Sequence, residues 1–186
     1  MSTKAFIKNT LGSFKCRFFG INRSGAKGIY IGKGVSIKGG KNLQLGSGVS
    51  IRPYSDIWCG GKVIIGDGSD IGERCRFSVV NELKIGKKVL FSPNVYITDC
   101  DHEYRDISLP VMDQGTVKSN SKVQIDDNAY IGINSVIVGN VKIGKGSVIG
   151  ANSVVTHDVP PFCVVAGSPA KVIKTYNEGL KEWITN

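Results

Sequence analysis

The sequence predicts an all-β protein, a parallel β-helix shaped as a triangular prism, and two periodicities indicate it. Residues 125–160 fall into blocks of six, each opened by an aliphatic residue, with small side chains or valine recurring at the fifth position. A period of six fits neither a helix nor an alternating strand, and it is typical of short strands joined by tight corners. Earlier in the chain, Leu45, Ile65 and Ile85 recur at a constant spacing of three hexads plus two residues.

The second periodicity indicates how many faces the prism has. Before residue 98 the aliphatic column advances by six residues, except at three steps of eight. If one coil contains three hexads, the two extra residues always fall at the same corner. We therefore predict 20-residue coils with a bulge, then plain 18-residue coils from Ile125, with strands about 4.8 Å apart. The column consists of Ile31, Ile37, Leu45, Ile51, Ile57, Ile65, Ile71, Phe77, Ile85, Phe91 and Ile97.

One long insertion interrupts the repeat. The step between Ile97 and Ile125 is far longer than the usual six or eight, and subtracting one bulged step leaves an insertion predicted at residues 103–122. A long excursion from a regular scaffold is usually a functional loop, because a loop can present side chains away from the stack.

The two ends of the chain are expected to cover the ends of the prism, which expose unpaired backbone groups. We predict a basic cap at residues 1–24, for which a short amphipathic helix is one interpretation, although Gly12 and Gly20 count against it. The prism is predicted at residues 25–160. The tail, residues 161–186, is predicted to contain a loop, a short extended segment and a terminal helix at 175–186.

Composition and charge narrow the class of protein. A chain of 186 residues with 41% apolar residues and 24 glycines fits one domain with many corners. The net charge is +9, and residues 1–28 contain six basic residues and no acidic ones. This segment is either a solvated cap or a peripheral contact with an anionic membrane surface, helped by its phenylalanines. We find no nucleic-acid-binding motif and expect no such partner.

The cysteines indicate a reducing compartment. There are five, an odd number, with no CxxC pair, so neither a disulfide framework nor a cysteine zinc site is predicted. The N-terminus lacks the apolar run of a signal peptide, and we find no segment long enough to span a bilayer. We therefore expect a cytoplasmic protein.

His102 is the candidate catalytic residue. It is one of two histidines, it stands at the end of the last hexad before the insertion, and Asp99, Asp101, Glu103 and Asp106 flank it. A carboxylate on one imidazole nitrogen would fix the tautomer and leave the other nitrogen as a base near neutral pH. A surface histidine among acids is the alternative, and the position at the mouth of the only large loop favours catalysis.

Three motifs resemble the hexapeptide-repeat acyltransferases, in the branch of the maltose and galactoside O-acetyltransferases and the polysaccharide O-acetyltransferases. They span roughly residues 30–174. The motifs are Ser92–Val95 with Asp101-His102, Tyr130–Ile133 with Ile137, and Ile149–Pro161 continuing to Ala166–Ile173.

The resemblance implies a left-handed parallel β-helix, a homotrimer with active sites between neighbouring prisms, and acetyl-CoA as co-substrate. By resemblance, His102 is the general base that takes a proton from a sugar hydroxyl as it attacks the thioester, without a covalent intermediate and without a metal. The acceptor is expected in surface-polysaccharide biosynthesis. The positions that match the CoA contacts of the family are Ile133, Ala151, Thr156, His157, Lys171 and Lys174.

The chain departs from the family pattern at two positions. His157 replaces a lysine, which removes one expected positive charge. Gly72 replaces an asparagine that holds the sugar in the galactoside branch, which suggests a different or larger acceptor. A further mechanism stays open, since Cys100 lies two residues before His102 and a thiol there can act as an acylated nucleophile.

Three other functions are weighed against sugar O-acetylation. An N-acetyltransferase for an amino sugar, an amino acid or a xenobiotic is the nearest alternative. A non-catalytic solenoid scaffold is another, for which we expect no acetyl transfer and no effect of His102→Ala. A zinc hydratase like the gamma-type carbonic anhydrases needs three imidazoles per metal, and this chain has only His102 and His157.

Overall fold

The computed structural model of the chain describes residues 12–23, 25–117 and 119–185. In this part, 20 strands form three sheets, and the chain passes from one sheet to the next at each corner. The three sheets are the sides of a triangular prism, so the predicted solenoid with three faces is confirmed. The described chain contains no helix long and apolar enough to cross a membrane.

The strands are numbered in chain order and grouped by sheet. Sheet I contains β1 Tyr30–Ile31, β4 Ser50–Ile51, β7 Asp70–Ile71, β10 Leu90–Phe91, β13 Tyr130–Ile131, β16 Val148–Ile149, β18 Cys163–Gly167, β19 Ala170–Asn177 and β20 Glu182–Thr185. Sheet II contains β2 Ser36–Lys38, β5 Asp56–Cys59, β8 Arg76–Val79, β11 Tyr96–Thr98, β14 Val136–Val138 and β17 Val154–Val155. Sheet III contains β3 Leu43–Leu45, β6 Lys62–Ile65, β9 Glu82–Ile85, β12 Lys122–Ile125 and β15 Val141–Ile143.

The strand register confirms the predicted superperiod. In sheet II, Ile37 pairs with Ile57 and Ile57 with Phe77, both in parallel and both separated by three hexads plus the two bulge residues. Ile97 pairs with Ile137, so the chain between them contains one bulged coil together with the whole insertion. The next coil consists of three plain hexads without a bulge, because Ile137 pairs with Val155.

The aliphatic column fills the interior. Residues such as Ile57, Phe77, Ile97 and Ile137 are at most 1% exposed and stack along the prism axis. Burying a side chain of this size stabilises a protein by roughly 1.5–3 kcal/mol. The column therefore supplies both the regular register and much of the stability.

A helix, α1, packs on the first coil, and residues 1–11 of the predicted cap lie outside the described residues. Residues 12–18 are helical, and the side chain of Cys16 is fully buried in the core. Gly20, at a φ of +69°, ends the helix. Its N–H group donates to Arg17 and that of Ile21 donates to Cys16, which is the Schellman pattern. Gly20 is thus the C-terminal cap of the helix rather than an obstacle to it.

The predicted C-terminal helix is wrong. Residues 170–185 form two antiparallel strands, β19 and β20, which extend sheet I beyond β18. The coils also continue past Pro160, since Val164 in β18 pairs in parallel with Val148. The open edge of sheet I explains the difference, because its unpaired backbone groups are satisfied by further strands.

Candidate functional site

The insertion leaves the prism at the corner between sheets II and III, which we call the loop corner. It follows β11 and ends where Lys122 opens β12, and it contains a short helix, α2, Val111–Gln114. The two extra residues of the earlier coils lie at this same corner, as Gly60-Gly61 and Val80-Asn81. The loop is therefore an enlarged version of a bulge that the preceding coils already carry.

Asp99 fixes the root of the loop. Its side chain is 1% exposed. Its carboxylate accepts the backbone N–H groups of Val80 at 2.7 Å, Asn81 at 2.7 Å and Glu82 at 2.8 Å. Hydrogen bonds to a charged acceptor are shorter and stronger than those between neutral groups. The first residue of the loop is thereby tied to the corner of the preceding coil.

The two arms of the loop pair next to His102. His102 forms an antiparallel bridge with Thr116. The N–H group of Glu103 donates to the carbonyl of Gly115 at 3.1 Å, and that of Val117 donates to Asp101 at 2.9 Å. Residues directly opposite in an antiparallel pair project to the same side. His102 and Thr116 therefore share one side of a short ribbon at the base of the loop.

The imidazole of His102 is exposed and, within the described residues, makes no hydrogen bond. Its backbone N–H donates to the carboxylate of Asp101 at 2.8 Å. In this single chain the imidazole therefore has both nitrogens available to solvent or to a substrate.

The expected carboxylate partner of the imidazole is not formed, because the flanking acids bond elsewhere. Asp99 binds the corner of the preceding coil, and Asp101 binds the backbone of His102. Bidentate hydrogen bonds from Arg105 lower the pKa of the Glu103 carboxyl to about 2. The hydroxyl and the N–H group of Ser108 lower the pKa of Asp106. Sequence adjacency to His102 did not indicate these partners.

Cys100 makes no hydrogen bond with the imidazole of His102, so the two do not form a thiol–base pair. Its sulfur approaches the carbonyl oxygens of Asp101 at 3.4 Å and Val117 at 3.8 Å. A thiol donates to such groups and is not activated by them as it would be by a base. The geometry therefore favours direct transfer over an acylated cysteine.

Two of the predicted CoA positions share the corner between sheets I and II. Ile133 and Ala151 stand in consecutive coils, and the N–H group of Asn152 donates to the carbonyl of Ile133 at 2.9 Å. Beside them Asn134 donates to Asn152 through its side chain at 3.0 Å, and both asparagines have φ values near +60°. This asparagine ladder holds the two neighbouring backbones in register.

The other four predicted positions lie at the C-terminal end of the prism, after β17 and in β19. Thr156 and His157 follow β17 at the loop corner, and their side chains share a hydrogen bond of 2.9 Å. Lys171 and Lys174 are exposed on β19, opposite Ala166 and Val164 of β18. All six predicted positions therefore lie in coils that follow the loop, and none lies in a coil that precedes it.

Gly72 has a structural explanation. A Cβ atom on this residue would lie 2.7 Å from the carbonyl oxygen of Phe91 and still closer to that of Ser92. The next coil therefore leaves no space for a side chain here. The absence of asparagine at this position is a packing requirement of this chain and gives no information about its acceptor.

The loop also carries a surface that sequence reasoning missed. Five large apolar side chains of the loop are exposed, and Ile107 and Met112 are the most exposed, at 101% and 85%. Gln114 holds this part of the loop together through three hydrogen bonds to Asp106 and Leu109. The five side chains are Tyr104, Ile107, Leu109, Val111 and Met112.

Residues 122–157 match the bacterial transferase hexapeptide family (six repeats). The chain contains bacterial transferase hexapeptide repeats. This hexapeptide-repeat protein is 34% identical over 119 residues to the putative lipopolysaccharide biosynthesis O-acetyl transferase WbbJ of Escherichia coli (strain K12), covering 61% of this chain and 60% of that protein. The resemblance to the hexapeptide-repeat acyltransferases is thereby confirmed.

Two other known proteins are similar to parts of the chain. Over 58 residues the chain is 57% identical to the 2,3,4,5-tetrahydropyridine-2,6-dicarboxylate N-acetyltransferase of Clostridium perfringens (strain SM101 / Type A), covering 31% of this chain and 25% of that protein. The acetyltransferase VCA0836 of Vibrio cholerae O1 biovar eltor, complexed with acetyl coenzyme A, aligns with a TM-score of 0.56 at 26% identity, covering 81% and 69% of the two chains. The chain spans between 25% and 60% of the length of the curated relatives described here.

Proposed function

We propose that this hexapeptide-repeat protein transfers an acetyl group from acetyl-CoA to a sugar hydroxyl in surface-polysaccharide biosynthesis, with His102 as general base. The observation that carries the proposal is the exposed imidazole of His102, without a hydrogen bond among the described residues, on a loop root tied down by Asp99. The name of WbbJ supports the acceptor class, and the acetyl-CoA complex of VCA0836 supports the donor.

The proposed reaction is a direct transfer. The imidazole takes the proton of the sugar hydroxyl while its oxygen attacks the thioester carbonyl carbon. The carbon–sulfur bond breaks, and the leaving CoA thiolate takes the proton back from the imidazolium. A positioned base of this kind contributes typically 10²–10⁴-fold to the rate.

Acetyl-CoA is proposed to lie along the coils that follow the loop. Ile133 and Ala151 would line the pantetheine path, and Thr156 and His157 would contact it from the loop corner. Lys171 and Lys174 would meet the nucleotide phosphates, where their charge is what matters. No metal takes part in this proposal; within the described residues, no group of three or more His, Cys, Asp and Glu side chains could hold one.

A homotrimer is proposed as the working form. The exposed apolar loop residues support it, since a patch of this kind marks an interaction surface. On sheet I, Leu90 and Tyr130 are aligned by register and exposed at 48% and 38%, with Val148 and Val164 following in the same row. Light scattering of the purified protein tests the assembly, and Ile107→Ser with Met112→Ser is expected to weaken it.

The deciding experiment measures thiol release from acetyl-CoA with a panel of sugars and sugar nucleotides. We expect His102→Ala to lower kcat by 10²-fold or more with little change in the KM for acetyl-CoA. His157→Ala is the matched histidine control, and it is expected to raise that KM with kcat retained. An undiminished rate in His102→Ala would overturn the proposal.

N-acetylation is the second candidate, favoured by the 57% identity over 58 residues to an N-acetyltransferase. Assaying each sugar beside its amino-sugar counterpart separates the two. Transfer only to the amine would replace the hydroxyl acceptor while keeping His102 as the base.

A cytoplasmic location with peripheral membrane contact is also proposed. The described part of the basic segment exposes Phe14 and Phe18, one helical turn apart, at 70% and 76%. Apolar and basic side chains together bind anionic lipid surfaces. Co-sedimentation with anionic and with neutral vesicles tests this contact, and equal recovery with both would contradict it.

A further inference from the structure

A groove lies on the loop corner, in the coils that precede the loop. Its volume is about 340 Å³, within the range of small-ligand sites. Lys41 and Lys62 contribute cations to its lining, and Asn42 contributes an amide. The side chain of Asn42 donates to the carbonyls of Cys59 at 3.0 Å and Gly60 at 3.1 Å, so one wall of the groove is fixed to the next coil.

An aromatic ring stands beside the groove. Trp58 is on the outer side of sheet II and 42% exposed. A Cβ atom on Gly60 would lie 2.9 Å from the Trp58 ring, and one on Gly61 would collide with the backbone of Asn81. Glycine at both bulge positions thus lets the Trp58 ring lie against the corner and adds no side chain to the groove. A flat exposed indole is suited to stacking against a sugar ring or a base.

The charge of the groove is uncompensated. Lys41 and Lys62 are exposed, and so is Lys38, which is the register neighbour of Trp58. Among the described residues none of the three lysines takes part in an ion pair. The acid nearest in register, Glu82 beside Lys62, contacts Lys122 at 3.2 Å instead. Two unpaired ammonium groups in the lining of the groove, with a third beside Trp58, attract an anion.

The groove and His102 share one corner of the prism. Gly60-Gly61 lies two coils before the loop, with Val80-Asn81 between them. Coils stack about 4.8 Å apart, so the groove lies roughly 10 Å from the loop root along the prism axis. This is on the order of the distance from a sugar hydroxyl to a diphosphate on the same sugar or the next one. The proposed CoA positions lie in the other direction.

We propose that this groove binds the phosphate groups of a sugar diphosphate acceptor, with Lys41 and Lys62 contacting the phosphates and Trp58 stacking beside them. The inference rests on the proposed function for the role of the acceptor, but binding to the groove needs neither acetyl-CoA nor His102. Nucleotide-linked and lipid-linked sugars both present this chemistry, and the experiment separates them.

The test follows the fluorescence of Trp58 without acetyl-CoA. The chain has two tryptophans, and Trp183→Phe leaves Trp58 as the only reporter while keeping a ring against Tyr176. The probes are inorganic pyrophosphate, UDP-glucose, a polyprenyl diphosphate sugar in detergent and methyl glucoside. We expect the three phosphorylated probes to quench Trp58, more weakly as salt is raised, and methyl glucoside to have no effect.

The decisive variant is Lys41→Ala with Lys62→Ala, expected to raise the Kd for UDP-glucose at least tenfold. Lys88→Ala with Lys145→Ala removes the same charge from exposed positions outside the groove lining and is expected to leave Kd within twofold. The tighter of the two diphosphate sugars identifies the source of the acceptor. Equal quenching by methyl glucoside, no quenching by either diphosphate sugar, or equal loss in both double variants would overturn the proposal. A negative acetylation assay with intact binding would count against the proposed function alone.

Discussion

The carboxylate of Asp99 accepts the backbone N–H group of Asn81 at 2.7 Å, from the preceding coil. The same corner of the prism repeats this contact in simpler form. Asn140 accepts the N–H group of Lys122 at 2.9 Å, and Asp158 accepts that of Lys142 at 2.7 Å. Asp99 alone of these three accepts from three successive residues, and it does so at the point where the chain departs into the loop.

Asp99→Ala is expected to destabilise the protein by about 2–4 kcal/mol, because three partly buried N–H groups lose their acceptor. The loop root would be released, so kcat is expected to fall as well. Thermal unfolding and the thiol-release assay measure the two effects. Asp158→Ala, which removes the acceptor of a single N–H group, is the control, expected to cost about 1 kcal/mol. Equal destabilisation by the two variants would contradict the assigned role of Asp99.

Much of the fold could be predicted because the aliphatic residues that point inward recur at a regular spacing in the sequence. Leu45, Ile65 and Ile85 gave the number of faces, the length of each coil and the size of the insertion, since inward positions of stacked coils must align. The partners of Asp99 could not be predicted, because they depend on which corner the loop leaves. The C-terminal strands could not be predicted because residues 175–186 contain helix formers. The same segment also contains β-branched and aromatic residues, among them the contacting pair Tyr176 and Trp183, and these suit strands added to the open edge of β18.

Cys75 is expected to limit stability at alkaline pH. Burial raises the pKa of its thiol to about 11, so the native state holds a proton that the unfolded state releases above about pH 9. Its contribution to the free energy of unfolding is fully present below pH 9 and is lost as pH rises towards 11. At pH 10 the loss is about 1 kcal/mol.

Cys75→Ser tests this contribution. Ser55 and Ser135 occupy the equivalent position in other coils and donate to the carbonyls of Gly72 and Gly150, so a hydroxyl fits there. We expect a cost of about 1 kcal/mol or less at pH 7 and a shallower loss of stability between pH 9 and 11, measured by urea unfolding. Cys59, with a pKa raised to about 12, retains its own share of the loss. An unchanged dependence of the free energy of unfolding on pH would contradict the role assigned to Cys75.

Native thiol reactivity is expected to come from Cys100 alone. The other four cysteines are at most 3% exposed, and burial raises the pKa values of Cys16, Cys59 and Cys75. Only the thiolate reacts with a disulfide reagent, so a buried neutral thiol is inert. Ellman titration should give one fast thiol in the native state and five after denaturation. Cys100→Ser should abolish the fast thiol, and a second fast native thiol would be the contrary result.

Gly72→Asn is expected to destabilise the protein rather than to improve a sugar site. The new Cβ atom would press against the carbonyls of Phe91 and Ser92, and overpacking of this kind costs about 1–3 kcal/mol. Gly179→Asn is the control, in the exposed turn between β19 and β20. A Cβ atom there would meet only the side-chain oxygen of Asn177, at 3.3 Å, so it is expected to cost less than about 1 kcal/mol. Thermal unfolding compares them. Unchanged stability together with a lower KM for a galactoside would restore the acceptor interpretation of Gly72.

An acetyl donor without the nucleotide part of CoA can show whether Lys171 and Lys174 bind the nucleotide phosphates or act only through their general charge. Both lysines are exposed on β19, next to the last parallel strand of sheet I, and their proposed partners are the nucleotide phosphates of CoA. Lys171→Ala with Lys174→Ala is therefore expected to raise the KM for acetyl-CoA about tenfold or more. Acetyl-pantetheine carries the same thioester without those phosphates, so its KM should not change. Equal losses with both donors would show that the two lysines support β19 rather than bind the nucleotide.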